Sequence, residues 1–500
     1  MKRLELSVAM AAAVLFAGGT YATSALADGP MVTKAPPAAA VSPWPAPAIA
    51  PLAFAPPTDP CGSVYDFFIG TKCELTWYGV RGYGTIDAGV SYQTKGVPFN
   101  GTFSVGSEYL VQKNSNRALW TLGPNGLSQS TVGVQAFEPF APGWAFVFDL
   151  SAGFDPYSFQ FANGIGSIFQ NAGVPLAAQN ANADSSRGGQ WFNNTGYVGV
   201  SSPTYGTLTL FRQWSLTQDM VVAYDPMSAS YAFSLIGFSG TTCGDGTTED
   251  CRFSTSAKYR NQIGPVRIGA LWQFGGYAQN NASNGAGQGE LGIDIPHVGP
   301  GSLSLDAAYS YVKDAVSMAV NTGVASLPMT ATISNDQSFM VAGRYVVGPL
   351  RLYAGFEWIE YMNPSDSPTS FTNIAGICQG APCLNNTTIS TTAYSKGSKT
   401  LDVAWVGAKY TVIKNVDLIG GYYHYTQPLF SATGASVCTT GAQAGCFGTE
   451  DVGSIVIDWQ FLPKWDTYLG TMFSQVNGGL GSGYLARNNL STTGGVRFRF

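Results

Sequence analysis

From residue 74 onward, apolar and polar positions alternate in short runs, and turn-rich stretches separate the runs. A period of two is the mark of a strand with two unlike faces. "LTWYGVRGYGTIDAGVSYQ" sets Arg81, Tyr83, Thr85 and Asp87 against Val80, Ile86, Ala88 and Val90. "GWAFVFDLSAGF" sets Asp149 and Ser151 against Trp144, Phe146, Phe148 and Leu150. "CRFSTSAKYR" sets Arg252, Ser254, Ser256, Lys258 and Arg260 against Phe253, Thr255, Ala257 and Tyr259. Later runs repeat the arrangement, with Arg267, Asp306, Arg351 and Asp458 on their polar sides. The last run, "VRFRF", sets Arg497 and Arg499 against Val496, Phe498 and Phe500.

One such run fits a soluble sandwich, whose apolar faces meet each other. The series as a whole points elsewhere. Aromatics such as Trp272, Trp358, Tyr410 and Tyr425 fall near strand ends, the position of the interfacial girdles of a membrane barrel. Charges on the polar face suit a solvated lumen, whereas a packed core would exclude them. After the N-terminal leader, no segment offers the roughly 18 to 20 uncharged apolar residues of a membrane helix. The expectation is an all-β fold, a transmembrane antiparallel β-barrel over residues 74–500. That length gives about 27 residues per strand and connection for sixteen strands, or about 24 for eighteen, and either suits short turns on one side and long loops on the other.

Composition agrees. Charged residues are 11% of the chain, against roughly 25% in soluble domains, while aromatics are 13%. A net charge of −5 supplies no basic surface for nucleic acid. Residues 1–27 read as a secretory signal, with Lys2 and Arg3, an apolar run and "ALA" at 25–27. Residues 28–73 are a separate Pro-rich segment, with ten prolines in residues 30–60, read as an extended spacer. In a secreted chain the eight cysteines imply disulfides. Their positions favour four local clips: Cys61–Cys73, Cys243–Cys251, Cys378–Cys383 and Cys438–Cys446. His and Cys never cluster, so no metal or other cofactor is expected. The two histidines, His297 and His424, stand near no Gly-x-Ser-x-Gly elbow, and an enzyme is not expected.

Three stretches carry a resemblance to the general porins of Gram-negative bacteria. "LTWYGVRGYGTIDAGVSY" resembles that family's opening strand. "GYVGVSSPTYGTLTLFRQW", residues 196–214, resembles its strand, short turn and strand ending in Arg-Gln. "GGVRFRF" resembles its closing strand. The Pro-rich lead and the Cys61–Cys73 clip look more like alphaproteobacterial porins. There are departures: the family often has Gly where Phe211 stands, and the clips at 378–383 and 438–446 are not general to it.

The resemblance implies a homotrimer of sixteen-stranded barrels in the bacterial outer membrane. Each barrel would be a passive pore for small hydrophilic solutes, narrowed by an inward-folded third loop at about Ser215–Glu249. Further partners implied are outer-membrane lipid and lipopolysaccharide, and an assembly machinery that reads Phe500. The loop would bring Asp219 and Asp225, with Asp245, Glu249 and Asp250, to face Arg81, Arg252, Lys258, Arg260 and Arg267 on the wall, and charge and width would filter solutes. Arg344, Arg351, Arg497 and Arg499 are further wall bases. Strict alternation puts Arg212 on the lipid face with Leu208 and Leu210; a bulge or the bend into the loop would turn it inward. The basic wall favours anions and the acidic balance of the chain favours cations, with a slight lean to anions near the constriction. Two alternatives stay open. One is a substrate-specific channel, for sugars for example, with Tyr83, Tyr353 and Tyr423 as a sliding path. The other is a structural or adhesive surface barrel that does not conduct.

Overall fold

The computed structural model describes residues 61–69, 73–96, 109–111, 117–159, 191–237, 251–279, 281, 283–318, 329–366, 387–391, 394, 397–432 and 437–500. Residues 1–27, read above as a signal, and most of the Pro-rich segment lie outside these residues. Period two holds along the chain and yields sixteen spans: β1 (Val80–Gly96), β2 (in two segments, Arg117–Pro124 and Ser130–Ala141), β3 (Trp144–Phe154), β4 (Thr195–Ser202), β5 (Gly206–Trp214), β6 (Arg252–Ile263), β7 (Val266–Gln273), β8 (Ala286–Val298), β9 (Gly301–Met318), β10 (Met329–Val347), β11 (Leu350–Met362), β12 (Ser398–Ile413), β13 (Val416–Gln427), β14 (Gly448–Leu462), β15 (Trp465–Gly478) and β16 (Asn488–Arg499). Each span pairs antiparallel with the next, and β16 pairs with β1 to close the ring. Closure leaves no open sheet edge for lipid to meet. A short strand, Thr387–Thr391, adds a parallel pairing to the loop end of β10.

Even-to-odd connections are tight. Gly264–Pro265, Gly299–Pro300 and Gly348–Pro349 make three of them. Odd-to-even connections are long, as at 215–251 and 363–397. Short turns mark the periplasmic end and long loops the outer end. Side chains alternate as the sequence implies. Ile455, Ile457, Trp459 and Leu469 stand on the outside, each at least half exposed, as a lipid belt requires. Arg267, Asp306 and Asp466 point inward and are buried. Among the described residues no helix is long and apolar enough to cross a membrane.

Two departures from simple alternation matter. The expected opening strand does not run straight from residue 74. Tyr78 and Gly79, both at positive φ (46° and 81°), turn the chain, and Leu75–Trp77 folds back on Val80–Gly82. This short strand continues the line of β16, and the residue that follows β16, Phe500, exchanges two backbone hydrogen bonds with Gly84 at 3.0 Å each. The second span is broken at residues 125–129, where Asn125 takes φ 59°. The break is held by the inward Asp87, whose Oδ2 accepts from the backbone of Leu127 and Ser128 at 2.8 and 2.9 Å. Ahead of the barrel, the Cys61–Cys73 disulfide encloses a short helix, α1 (Val64–Ile69).

The inward-folded loop and candidate constriction

The connection from β5 to β6 turns into the barrel. Ser215 starts it: its Oγ accepts from Gln218 N at 2.9 Å and caps helix α2 (Leu216–Tyr224). Eight of the nine helical residues are buried, Val222 being the exception. Such all-round burial inside a barrel means that the loop is packed on the wall and is not a free lid.

The near end of the loop is held by charge. Asp219 pairs with Lys258 and with Arg260, the latter at 2.7 Å, and Arg260 reaches Glu290 at 2.6 Å. Lys258 is 1% exposed, so this is a desolvated pair. Leu216 N donates to Gln288 Oε1 at 2.7 Å, and the Tyr224 hydroxyl donates to Asp306. Burial, with Asp306 beside it, pushes the Tyr224 pKa up. Arg267 joins this group through Asp306 at 3.0 Å and also pairs with Asp294.

The far end is held by shape and neutral hydrogen bonds. Trp405 Nε1 donates to Tyr224 O at 3.1 Å, Tyr425 OH to Leu235 O at 3.3 Å and Tyr231 OH to Gln129 Oε1 at 2.7 Å. Ala232 N donates to Gly126 O at 2.9 Å, which ties the loop to the break in β2. Pro226 sits in a notch made by Gly407 and Gly421, a directly opposed pair on β12 and β13. A Cβ at Gly407 would come within 2.4 Å of Pro226 Cγ, and one at Gly421 within 3.2 Å. Phe233 sits over Gly470 in the same way, at 2.7 Å from an added Cβ. Met220, Val221, Leu235 and Ile236 join Met340, Ile359, Val403, Val456 and Met472 in one apolar cluster. Fully burying each such side chain is worth roughly 1.5–3 kcal/mol, which favours the docked loop over one in the water of the lumen.

Asp225 belongs to this far end. Its Oδ1 accepts from Tyr423 OH at 2.6 Å and from Met227 N at 3.2 Å, and its Oδ2 accepts from Ala229 N at 2.7 Å. Burial raises its pKa, although these hydrogen bonds oppose the rise.

The sequence-derived candidates therefore fall into separate places. Asp219, Lys258, Arg260 and Arg267 come together under α2, and Asp225 lies across the lumen with Tyr423. Arg81 is inward at the periplasmic end, 3.3 Å from Glu74. Arg252 departs from the expected face. The β5–β6 register shifts between Phe211 and Gln213, with Phe211 at φ 89° and Thr255 at φ 52°. Beyond this bulge Arg252 pairs with Trp214 and Phe253 with Gln213, so the face shared by Lys258 and Arg260 does not extend to Arg252. Its guanidinium instead donates to Asn194 Oδ1 at 2.8 Å. The same bulge leaves Phe211 exposed beside Leu208 and Leu210 and draws in Arg212, which donates to Asn193 O and Ser254 Oγ.

Asp245, Glu249 and Asp250 lie outside the described residues, as do Cys243, Cys378 and Cys383. Cys61–Cys73 and Cys438–Cys446 are bonded, and Cys251 is in a disulfide as well. Tyr425, placed near a girdle by its position at a strand end, faces inward under the loop. The residues that sequence reasoning missed are Pro226, Trp405 and the three notch glycines. Glycine inside a strand is the one available signal, since it marks close approach of another group.

Among the wall bases, Arg351 stands apart. It faces inward directly opposite Lys409, whose amine pairs with Asp417 at 2.7 Å. No ion pair or hydrogen bond engages Arg351 among the described residues.

A closed sixteen-strand antiparallel barrel with a lumenal loop is the architecture of the porin-type outer-membrane barrels. The chain belongs to the Gram-negative porin family, whose model matches residues 9–445. The family is not catalytic, and the protein resides in the bacterial outer membrane. No curated protein matches the chain. Among solved structures, an anion-selective porin from Comamonas acidovorans is similar at TM-score 0.54 and 14% identity, covering 84% of this chain and 99% of that one. OmpT, an outer-membrane protein of Vibrio cholerae, is similar at 0.51 and 14%, covering 85% and 100%. At these identities the likeness is one of fold.

Proposed function

We propose that this porin is a passive channel for small hydrophilic solutes and ions, narrowed by the docked loop, with a weak preference for anions. The observation that carries the preference is Arg351, an inward cation that makes no salt bridge among the described residues and shares the single charge of Asp417 with Lys409, which leaves an excess of positive charge there. The expected opposition of loop acids to wall bases contributes less. Asp219 is spent on Lys258 and Arg260, and Asp225 on Tyr423 and backbone N–H groups. In this reading Lys258, Arg260 and Arg267 fix the constriction's frame, Arg81 lines the periplasmic mouth, and Arg252 supports the loop's return to β6. A sugar slide over Tyr83, Tyr353 and Tyr423 is disfavoured, because Tyr423 is fully buried beneath the loop. Trimerisation, and a role for Phe500 as the assembly signal, rest on membership of the family.

Single-channel recording under a salt gradient tests the reading. Stable steps with three sublevels are expected, with a reversal potential on the anion side. Arg351→Gln should move that potential toward the cation side without changing heat stability. Insertion without conductance would overturn the channel, and an unmoved potential would remove Arg351 from the path.

A further inference from the structure

At the periplasmic end, helix α1 is clipped to the outside of the barrel. Ser63 caps it, its Oγ accepting from Asp66 N at 3.1 Å, and the Cys61–Cys73 bond brings the chain back beside it, Cα to Cα 4.6 Å. Its wall-facing ring, Phe67, packs edge-on against Phe498 and Phe500 at 5.6 and 5.2 Å. Phe68 stacks on Phe498 at 5.3 Å. Lys464, in the β14–β15 turn, donates to Phe67 O at 3.0 Å and to Cys73 O at 2.9 Å, and Trp465 Nε1 donates to Phe68 O at 2.8 Å. These contacts fix where the helix lies. Phe498 and Phe500 share the outward face of β16 with Val496, while Arg497 and Arg499 face inward to Asp466. The helix therefore sits against the lower edge of the lipid belt, at the seam where β16 meets β1.

What α1 turns away from the barrel is apolar. Val64 and Tyr65 are 75% and 71% exposed, and Ile69 is partly exposed beside them, as is the edge of Phe68 that its stacking on Phe498 leaves uncovered. At about 100° per residue these four span an arc of roughly 140°, a full apolar stripe, with Phe67 on the wall side. Asp66 falls outside the arc and is bonded to Ser63 Oγ at 2.7 Å. Trp77 and Tyr78, in the adjoining hairpin, are also strongly exposed. Such an exposed cluster on a surface continuous with the lipid belt marks an interaction site.

We infer that α1 is an interfacial anchor, whose Val64, Tyr65, Phe68 and Ile69 lie in the phospholipid of the periplasmic leaflet beside the barrel seam. A helix with an apolar stripe rests in the boundary between headgroups and acyl chains and adds to membrane affinity in proportion to the apolar area it buries. The disulfide ring and the Lys464 bonds hold that stripe in the plane of the belt's aromatic edge.

The test is photocrosslinking of the full chain in vesicles of phosphatidylethanolamine and phosphatidylglycerol, with Tyr65→p-benzoylphenylalanine. Leu469→p-benzoylphenylalanine, in the middle of the belt, is the positive control. An adduct heavier by one phospholipid, at a yield within about twofold of the control, is expected. An adduct of two chains would make α1 a subunit contact and overturn the inference. Absence of any adduct while position 469 labels would place α1 in water and overturn it equally. If the Tyr65 variant fails to reach the heat-resistant folded form, Val64→p-benzoylphenylalanine reads the same face.

Discussion

The two ends of the lumenal loop rest on walls of opposite character. Near its start, α2 meets β6 to β9, whose inward side chains include Lys258, Arg260, Arg267, Glu290 and Asp306. At its far end, Asp225 to Ile236 meets β12 to β15, whose inward faces offer Trp405, Tyr423, Val456, Met472 and three glycines. The first seat depends on partners being present in pairs. The second depends on atoms being absent, so that Pro226 and Phe233 fit. A charged seat fails when one partner is removed, because the other is left desolvated. A shaped seat fails when something is added.

The largest effect is therefore expected at the charged seat. Asp219→Asn leaves Lys258 buried without its counter-charge, and breaking such a pair costs about 3–5 kcal/mol. Adding Lys258→Met to that variant should recover much of the loss. Denaturant unfolding in lipid or detergent checks both, and a double variant no more stable than Asp219→Asn would show that the pair does not carry the seat. The shaped seat comes next. Gly421→Leu would drive a side chain into Pro226, whose Cγ lies 3.2 Å from the added Cβ, at a cost of about 1–3 kcal/mol. Because the cost is relieved by expelling the far end of the loop, single-channel conductance should rise while the barrel stays folded. Unchanged conductance would mean that the notch does not hold the loop.

A smaller effect separates the seats by pH. Burial holds the Asp225 carboxyl above its ordinary 3.8, so the folded protein keeps this proton at pH values where the unfolded chain has lost it. The resulting stability is present at low pH and is lost as pH rises through the folded value. Asp225→Asn should cost about 1 kcal/mol near neutrality, through poorer acceptance from Tyr423 and Ala229, and should flatten this part of the acid dependence. Unfolding midpoints of both proteins between pH 3 and 7 give the comparison. An Asn variant with the parent's slope would assign that slope to other groups.

Much of this architecture was legible in the sequence because lipid on one side and water on the other enforce period two. Arg81, Asp87, Arg267, Asp306 and Arg351 all face inward where alternation put them. Alternation fails where the backbone inserts a residue. The bulge at Phe211 and Thr255 cut Arg252 off from Lys258, and the break at 125–129 carried no pattern of its own. Side-chain partners were less legible still. Asp219 and Asp225 read alike as loop acids, and only register and height on the wall decide that one meets Lys258 and the other Tyr423. The glycine notches needed the same information, since Gly407, Gly421 and Gly470 look like ordinary small residues until the loop is laid across them.

Phe211 gives the finest test, because there a departure from the family's sequence coincides with strained backbone. The resemblance read from the sequence often has Gly where Phe211 stands, and φ 89° is a conformation that Gly adopts freely and a β-branched residue does not. The Phe211 ring is 51% exposed on the lipid side and supports little inside the barrel. Phe211→Gly relieves the strain, but it loosens the unfolded chain and gives up lipid contact, so its net change should stay within about 0.5 kcal/mol. Phe211→Val keeps an apolar side chain yet should cost about 1–2 kcal/mol, since its branched Cβ resists the bulge. Unfolding midpoints of the two variants decide the matter. If Val is tolerated as well as Gly, the bulge is not held at positive φ, and the inward turn of Arg212 and the separation of Arg252 from Lys258 need another cause.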